Sequence, residues 1–134
     1  MVIDTPAIVA VLFDEPERPR FTELLEHAQV RLVSAVIRVE AASVVEGRKS
    51  EAGRERLDRF FRMTDPEIVT VTTEQAEFAV DAFRRFGRGR HPAALNIGDC
   101  FAYVLATRPA KHCSSRRRLR ADRHRPAIGD MPRI

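Results

Sequence analysis

Met1-Val2-Ile3-Asp4-Thr5-Pro6-Ala7-Ile8-Val9-Ala10-Val11-Leu12-Phe13 opens the chain and decides its fold class. The apolar run Met1–Ile3 ends at a lone carboxylate, Asp4, and a second apolar stretch follows directly after Thr5-Pro6. Proline suits the first turn of a helix, and Ile8, Val11 and Leu12 are spaced i, i+3, i+4. A buried strand that ends in an acid and turns at once into a helix places that acid at the carboxyl edge of a parallel sheet. Open α/β sheets bind ligands along that edge.

The rest of the pattern alternates in the same way, short apolar runs between longer periodic ones, which predicts a parallel α/β domain. A break at Glu15–Pro19 precedes a helix from about Pro19, with Phe21, Leu24, Leu25 and Ala28 on one face. Arg31 to Ser34 is predicted as a strand, and Ser34 as the cap of a helix carrying Ile37, Ala41, Val44 and Val45. Glu51 to Met63 is predicted as a further helix, with Leu57, Phe60 and Phe61 inward, and Ile68 to Val71 as the third strand. Thr72 and Gln75 have capping-box spacing, opening a helix with Ala76, Ala79, Val80 and Phe83 on one face. The loop Phe86 to Pro92 ends it, and Ile97 to Ala106 is the last helix expected. Phe83, Phe86 and Phe101 are expected in the core.

Two more acids stand in settings like that of Asp4. Glu40 lies beside the apolar stripe of the Ser34-capped helix, and Asp99 lies in Asn96-Ile97-Gly98-Asp99-Cys100-Phe101. Isolated carboxylates in apolar surroundings are unfavourable without a positive partner, and a divalent cation is a common one. Each also has a plainer reading: Asp4 as a helix N-cap, Glu40 as a solvated helix-flank residue, Asp99 as a first-turn acid favoured by the helix dipole. It is the three together that favour metal binding.

Composition narrows the alternatives. A chain of 134 residues fits one domain with a real core. No apolar run approaches the roughly 20 residues that span a bilayer, and the N-terminus has no basic region of the signal-peptide kind. Cys100 and Cys113 lack metal-site spacing and disulfide-scaffold density, so a cytoplasmic protein is expected; Cys100, beside Phe101, is read as a small buried apolar residue. His27, His112 and His124 have no partners at ligand spacing. A receiver domain also uses strand-end acids, but it needs a late strand-end lysine, and the only lysines are Lys49 and Lys111.

Taken in combination, Val2-Ile3-Asp4-Thr5, the segment Ser34 to Glu40, and Gly87-Arg88-Gly89-Arg90-His91 leading into Leu95-Asn96-Ile97-Gly98-Asp99-Cys100-Phe101-Ala102-Tyr103 resemble the PIN-domain nucleases. The closer resemblance is to the VapC-type toxins of bacterial toxin–antitoxin pairs, over roughly the first 105 residues. The resemblance implies a PIN-like three-layer α/β domain over residues 1–106, with a short parallel sheet flanked by helices. It implies an endoribonuclease dependent on Mg²⁺ or Mn²⁺, cations that take oxygen ligands. Asp4, Glu40 and Asp99 would be catalytic, Asp4 and Asp99 as direct metal ligands and Glu40 through water or by positioning the nucleophile. The Thr5 hydroxyl would hydrogen-bond one of these carboxylates. Arg88, Arg90 and His91 would contact RNA phosphates, although an ordinary solvated basic loop fits them as well. The implied partners are an RNA substrate, a cognate antitoxin held by the helices between Pro19 and Met63, and a second copy in a homodimer, with no membrane.

The sequence departs from that pattern in two places. Pro6 stands where many relatives carry a second small hydroxyl residue, and no Gly-Asp-Asp-Phe-like acidic segment follows the last helix. Residues 1–107 hold 14 Arg/Lys against 17 Asp/Glu, whereas residues 108–134 hold 9 against 2, so the whole basic excess lies in the final segment. Residues 107–134 are accordingly read as an arginine-rich aberrant tail, expected to be poorly ordered. Plausible codons for Arg117 to Arg125, read one base later, give an Asp-Asp-Phe-containing segment, so a frameshift is the expected origin. The alternative function is a PIN remnant that binds an antitoxin without cleaving RNA.

Overall fold

In the computed structural model, which describes residues 1–108, three extended segments run parallel. Ile3 N–H donates to the Leu32 carbonyl and Leu32 N–H to that of Met1, both at 2.8 Å, so that Val2 bridges Leu32. Leu32–Ser34 is β1 and Glu67–Val69 is β2. They pair in parallel, Leu32 with Glu67, Val33 with Ile68 and Ser34 with Val69. The expected strand Met1–Asp4 is thus reduced to a single bridge, paired on one side only among the described residues. The third strand ends at Val69 and not at Val71. Beyond it the backbone turns to bring Thr72 into capping position, which takes Val71 off the ladder.

Five helices surround these strands: α1 Thr5–Leu12, α2 Arg18–His27, α3 Ala35–Thr64, α4 Thr73–Phe86 and α5 Ile97–Thr107. Two expected helices prove to be one, since α3 runs unbroken for 30 residues. No proline interrupts Gly47 to Gly53, and a helical glycine costs only about 1 kcal/mol relative to alanine. Both halves bury into the same core, Ile37, Ala41 and Val45 from the first and Leu57, Phe60 and Met63 from the second. Burying one such large side chain contributes roughly 1.5–3 kcal/mol, which outweighs the glycines. The helix ends where Asp65 adopts the left-handed conformation, φ 43°.

Side-chain alternation divides the sheet into two faces. Ile3 and Val33 point into the core formed with α1, α2 and α3, while Val2, Leu32 and Val69 pack against Leu105 of α5. The result is the expected three-layer α/β arrangement, helices on either side of a short parallel sheet. No helix of the described residues is long and apolar enough to cross a membrane.

The buried face of α4 is not the expected one. Gln75, Ala79 and Ala82 are buried, whereas Val80 is 44% and Phe83 37% exposed. Ala79 belongs to both candidate stripes, and the pairing with α5 through Ala79, Ala82, Cys100 and Val104 decides between them. Val80 and Phe83 instead border an open apolar groove with Ile97 and Phe101. Phe86 and Phe101 are half-buried, so none of the three phenylalanines expected in the core is fully enclosed. The arginine-rich tail lies outside the described residues from position 109 onward, and with it Cys113, His112, His124 and the proposed frameshift.

Candidate active site: three acidic segments meet at Glu40

The topology sets α1 and α3 side by side. Each begins where one of two adjacent parallel segments ends, α1 after Ile3 and α3 after Val33-Ser34, so both N-termini open at the carboxyl edge of the sheet. Asp4 is the N-cap of α1, its Oδ1 accepting from Ala7 N–H at 3.0 Å. The plain reading of Asp4 therefore holds as geometry, and it leaves the second carboxylate oxygen uncommitted. Pro6 follows in the first turn, where its missing N–H costs nothing.

Thr5, the first residue of α1, is buried, and its hydroxyl donates to Oε2 of Glu40. This contact spans 35 residues of sequence and is the direct link between the first and second acidic segments. The expectation that Thr5 would hydrogen-bond one of the acids is met, with Glu40 as the partner. Glu40 sits one residue before the buried Ala41, which turns its side chain along the flank of the core toward α1.

The third segment also reaches Glu40. A Cβ built on Gly98 would stand 2.6 Å from Glu40 Cδ and 2.8 Å from its Oε1, so the carboxylate lies against the first turn of α5. Asp99 follows immediately. Its Oδ2 accepts from Asn96 N–H at 2.9 Å, and Asn96 Oδ1 accepts from Asp99 N–H at 2.8 Å. Together they form a capping box. The spacing of Asn96 to Asp99 equals that of Thr72 to Gln75, so the sequence carries a signal for this second box that the ligand reading of Asp99 overlooks. Burial, and next the charge of Asp99, push the neighbouring Cys100 thiol above its ordinary range.

The basic loop enters α5 from the α4 side. Gly87 and Leu95 bridge its two ends, and His91 N–H donates to the Gly87 carbonyl at 3.2 Å. Arg88, Arg90 and His91 are all exposed. The guanidinium of Arg90 lies 5.7 Å from the Phe83 ring centre, and His91 packs edge-on against Phe86 at 5.3 Å. His91 Nδ1 accepts from Ala93 N–H at 3.0 Å, which leaves Nε2 as the outward nitrogen.

The donor chemistry fits a hard divalent cation, being carboxylate oxygen throughout. As the side chains stand, no three His, Cys, Asp or Glu groups among the described residues close round an ion. Each acid is turned to a protein donor instead: Asp4 to Ala7, Asp99 to Asn96, Glu40 to Thr5. What the fold brings together is the three segments, with Glu40 between the other two.

Comparison with known proteins places the chain in a family. The PIN domain family model matches residues 1–112. Ribonuclease VapC30 of Mycobacterium tuberculosis is 45% identical to the chain over 106 residues, which is 79% of the chain and 81% of that protein. Ribonuclease VapC of Mycolicibacterium smegmatis is 46% identical over 110 residues, covering 79% and 82%. Ribonuclease VapC28 of Mycobacterium tuberculosis is 37% identical over 107 residues, covering 79% and 80%. The protein with acidic segments gathered at the carboxyl edge of its sheet belongs to the PIN-domain family, and within it to the VapC ribonucleases.

Proposed function

We propose that this chain is an endoribonuclease dependent on Mg²⁺ or Mn²⁺, the toxin of a toxin–antitoxin pair, hydrolysing RNA phosphodiester bonds. One observation carries the reading: Glu40 is held between Thr5 and Gly98, the residues next to Asp4 and Asp99, so three acidic segments distant in sequence share one place. The ribonuclease names of the relatives support the substrate class.

Asp4 and Asp99 are assigned as the residues that would hold the cation. When bound, such a cation supplies positive charge at the scissile phosphate and acidifies a water. The remaining steps belong to the chain. Thr5 fixes one oxygen of Glu40, leaving Oε1 to orient the attacking water or take its proton. Arg88, Arg90 and His91 hold flanking phosphates, contacts that fix position without reading sequence. A cytoplasmic location follows, since RNA and antitoxin are met there. The antitoxin is assigned to the helices between Pro19 and Met63, where Leu24 and Val39 stand exposed, and a homodimer is proposed as the toxin's own assembly.

Asp4→Ala tests the site. It should lower metal-dependent RNA cleavage by about 100-fold or more, the scale of losing a group that positions the reaction. Cleavage equal to that of the unchanged chain would show the site to be misassigned. A second reading, binding of antitoxin without cleavage, is favoured by the turning of all three acids toward protein donors. Antitoxin binding and RNA cleavage measured on one preparation separate the two, because that reading requires the first without the second.

A further inference from the structure

We propose that Gly98 is a positioning residue for Glu40, present because only a residue without a side chain leaves room for that carboxylate against the first turn of α5. The inference rests on the catalytic reading of Glu40 given above. Nothing in the backbone calls for glycine at this position. Among the described residues the one glycine with positive φ is Gly89, at 78°, so Gly98 holds a conformation open to any L-residue. Inside a helix, glycine is also the poorer choice, about 1 kcal/mol less favourable than alanine. What it contributes is space. Its Cα is buried, and a methyl group there would overlap the Glu40 carboxylate, 2.6 Å from Cδ.

The carboxylate has little freedom to make way and remain in place. Thr5 holds Oε2 from the α1 side, and the first turn of α5 lies against that same oxygen and the rest of the carboxylate. A methyl group at position 98 therefore meets the end of a flexible side chain and not a backbone. Glu40 yields and the fold does not. The Thr5 hydrogen bond breaks, and the carboxylate leaves its place between Thr5 and Gly98. Gly47 is the natural contrast, since it is also helical but has no atom within 4 Å of where its Cβ would stand.

The test compares Gly98→Ala, Gly47→Ala, Glu40→Gln, Glu40→Asp and the double variant Gly98→Ala/Glu40→Asp, all in the full chain. Measurements are RNA cleavage with MgCl₂, MgCl₂ affinity, thermal midpoint, and the Glu40 carboxyl ¹³C resonance in metal-free protein. Gly98→Ala should lower cleavage by about 100-fold, the scale of a misplacement of about 1 Å, without lowering the thermal midpoint, and should shift the Glu40 resonance. Gly47→Ala should leave cleavage and that resonance unchanged. The shorter aspartate makes room for the methyl group, so the double variant should cleave better than the product of the two single losses allows. If Glu40→Gln abolishes cleavage while Gly98→Ala retains it, the positioning role is wrong and the catalytic reading stands. If Glu40→Gln cleaves as well as the unchanged chain, the catalytic reading itself is wrong and the positioning role falls with it. An unmoved Glu40 resonance in Gly98→Ala overturns the contact regardless of activity.

Discussion

Asp4 and Asp99 each use one carboxylate oxygen to cap a helix, and the proposed function gives the other oxygen to the cation. Cys100, one residue on, is 2% exposed, and burial together with the Asp99 charge raises its thiol above the ordinary value of 9.0. The folded protein therefore holds a proton that the unfolded chain releases. Its stabilising contribution is complete below pH 9.0 and is lost as the pH climbs toward the raised value. Thermal midpoints measured on both sides of that pH should fall in the alkaline range, and less steeply in Cys100→Ala. Equal slopes for the two proteins would remove Cys100 as a contributor.

At the scale of elements, the two capping boxes are the clearest local determinants. Asn96→Ala should cost about 1 kcal/mol of stability, the usual loss for such a cap, measured by denaturant unfolding. The same change removes only the bond from Asp99 N–H to Asn96 Oδ1, while the backbone N–H that Asp99 Oδ2 accepts from remains, so Mg²⁺ affinity should stay unchanged; a large loss would tie the cap itself to the site. The Thr72 box was legible because its whole signal lies within four residues, and the start of α1 for a similar reason. The continuity of α3 was not. Gly47-Arg48-Lys49-Ser50 resembles a break, and only the shared core that Val45 and Leu57 enter from either side overrides it. The buried face of α4 was likewise undecided until α5 packed on Ala79 and Ala82. Of the site, the three acids and Thr5 were recognisable as chemical types at the ends of elements. The role of Gly98 was hidden, because it depends on a side chain that arrives from α3, 58 positions earlier in the sequence.

Over the whole molecule, charge and structure are unevenly shared. The described body carries the candidate acidic site, while the basic excess lies beyond it, 8 Arg/Lys against 2 Asp/Glu in residues 109–134. Nonspecific RNA binding by basic residues weakens with salt in proportion to the phosphates neutralised. A chain lacking residues 109–134 should therefore bind RNA with a shallower dependence on salt; an unchanged slope would place the phosphate contacts in the loop at Arg88 and Arg90 instead. The meeting of Thr5, Glu40 and Gly98 has a consequence for the timing of synthesis. Chains emerge N-terminus first at about 5–20 residues per second, and the helix bearing Gly98 and Asp99 is made last of the five. Until it leaves the ribosome, Glu40 has only one of its two walls and Asp99 is not yet in place. On the proposed function, a nascent chain is harmless to the RNA that surrounds it, and the ability to cut arrives only as α5 docks.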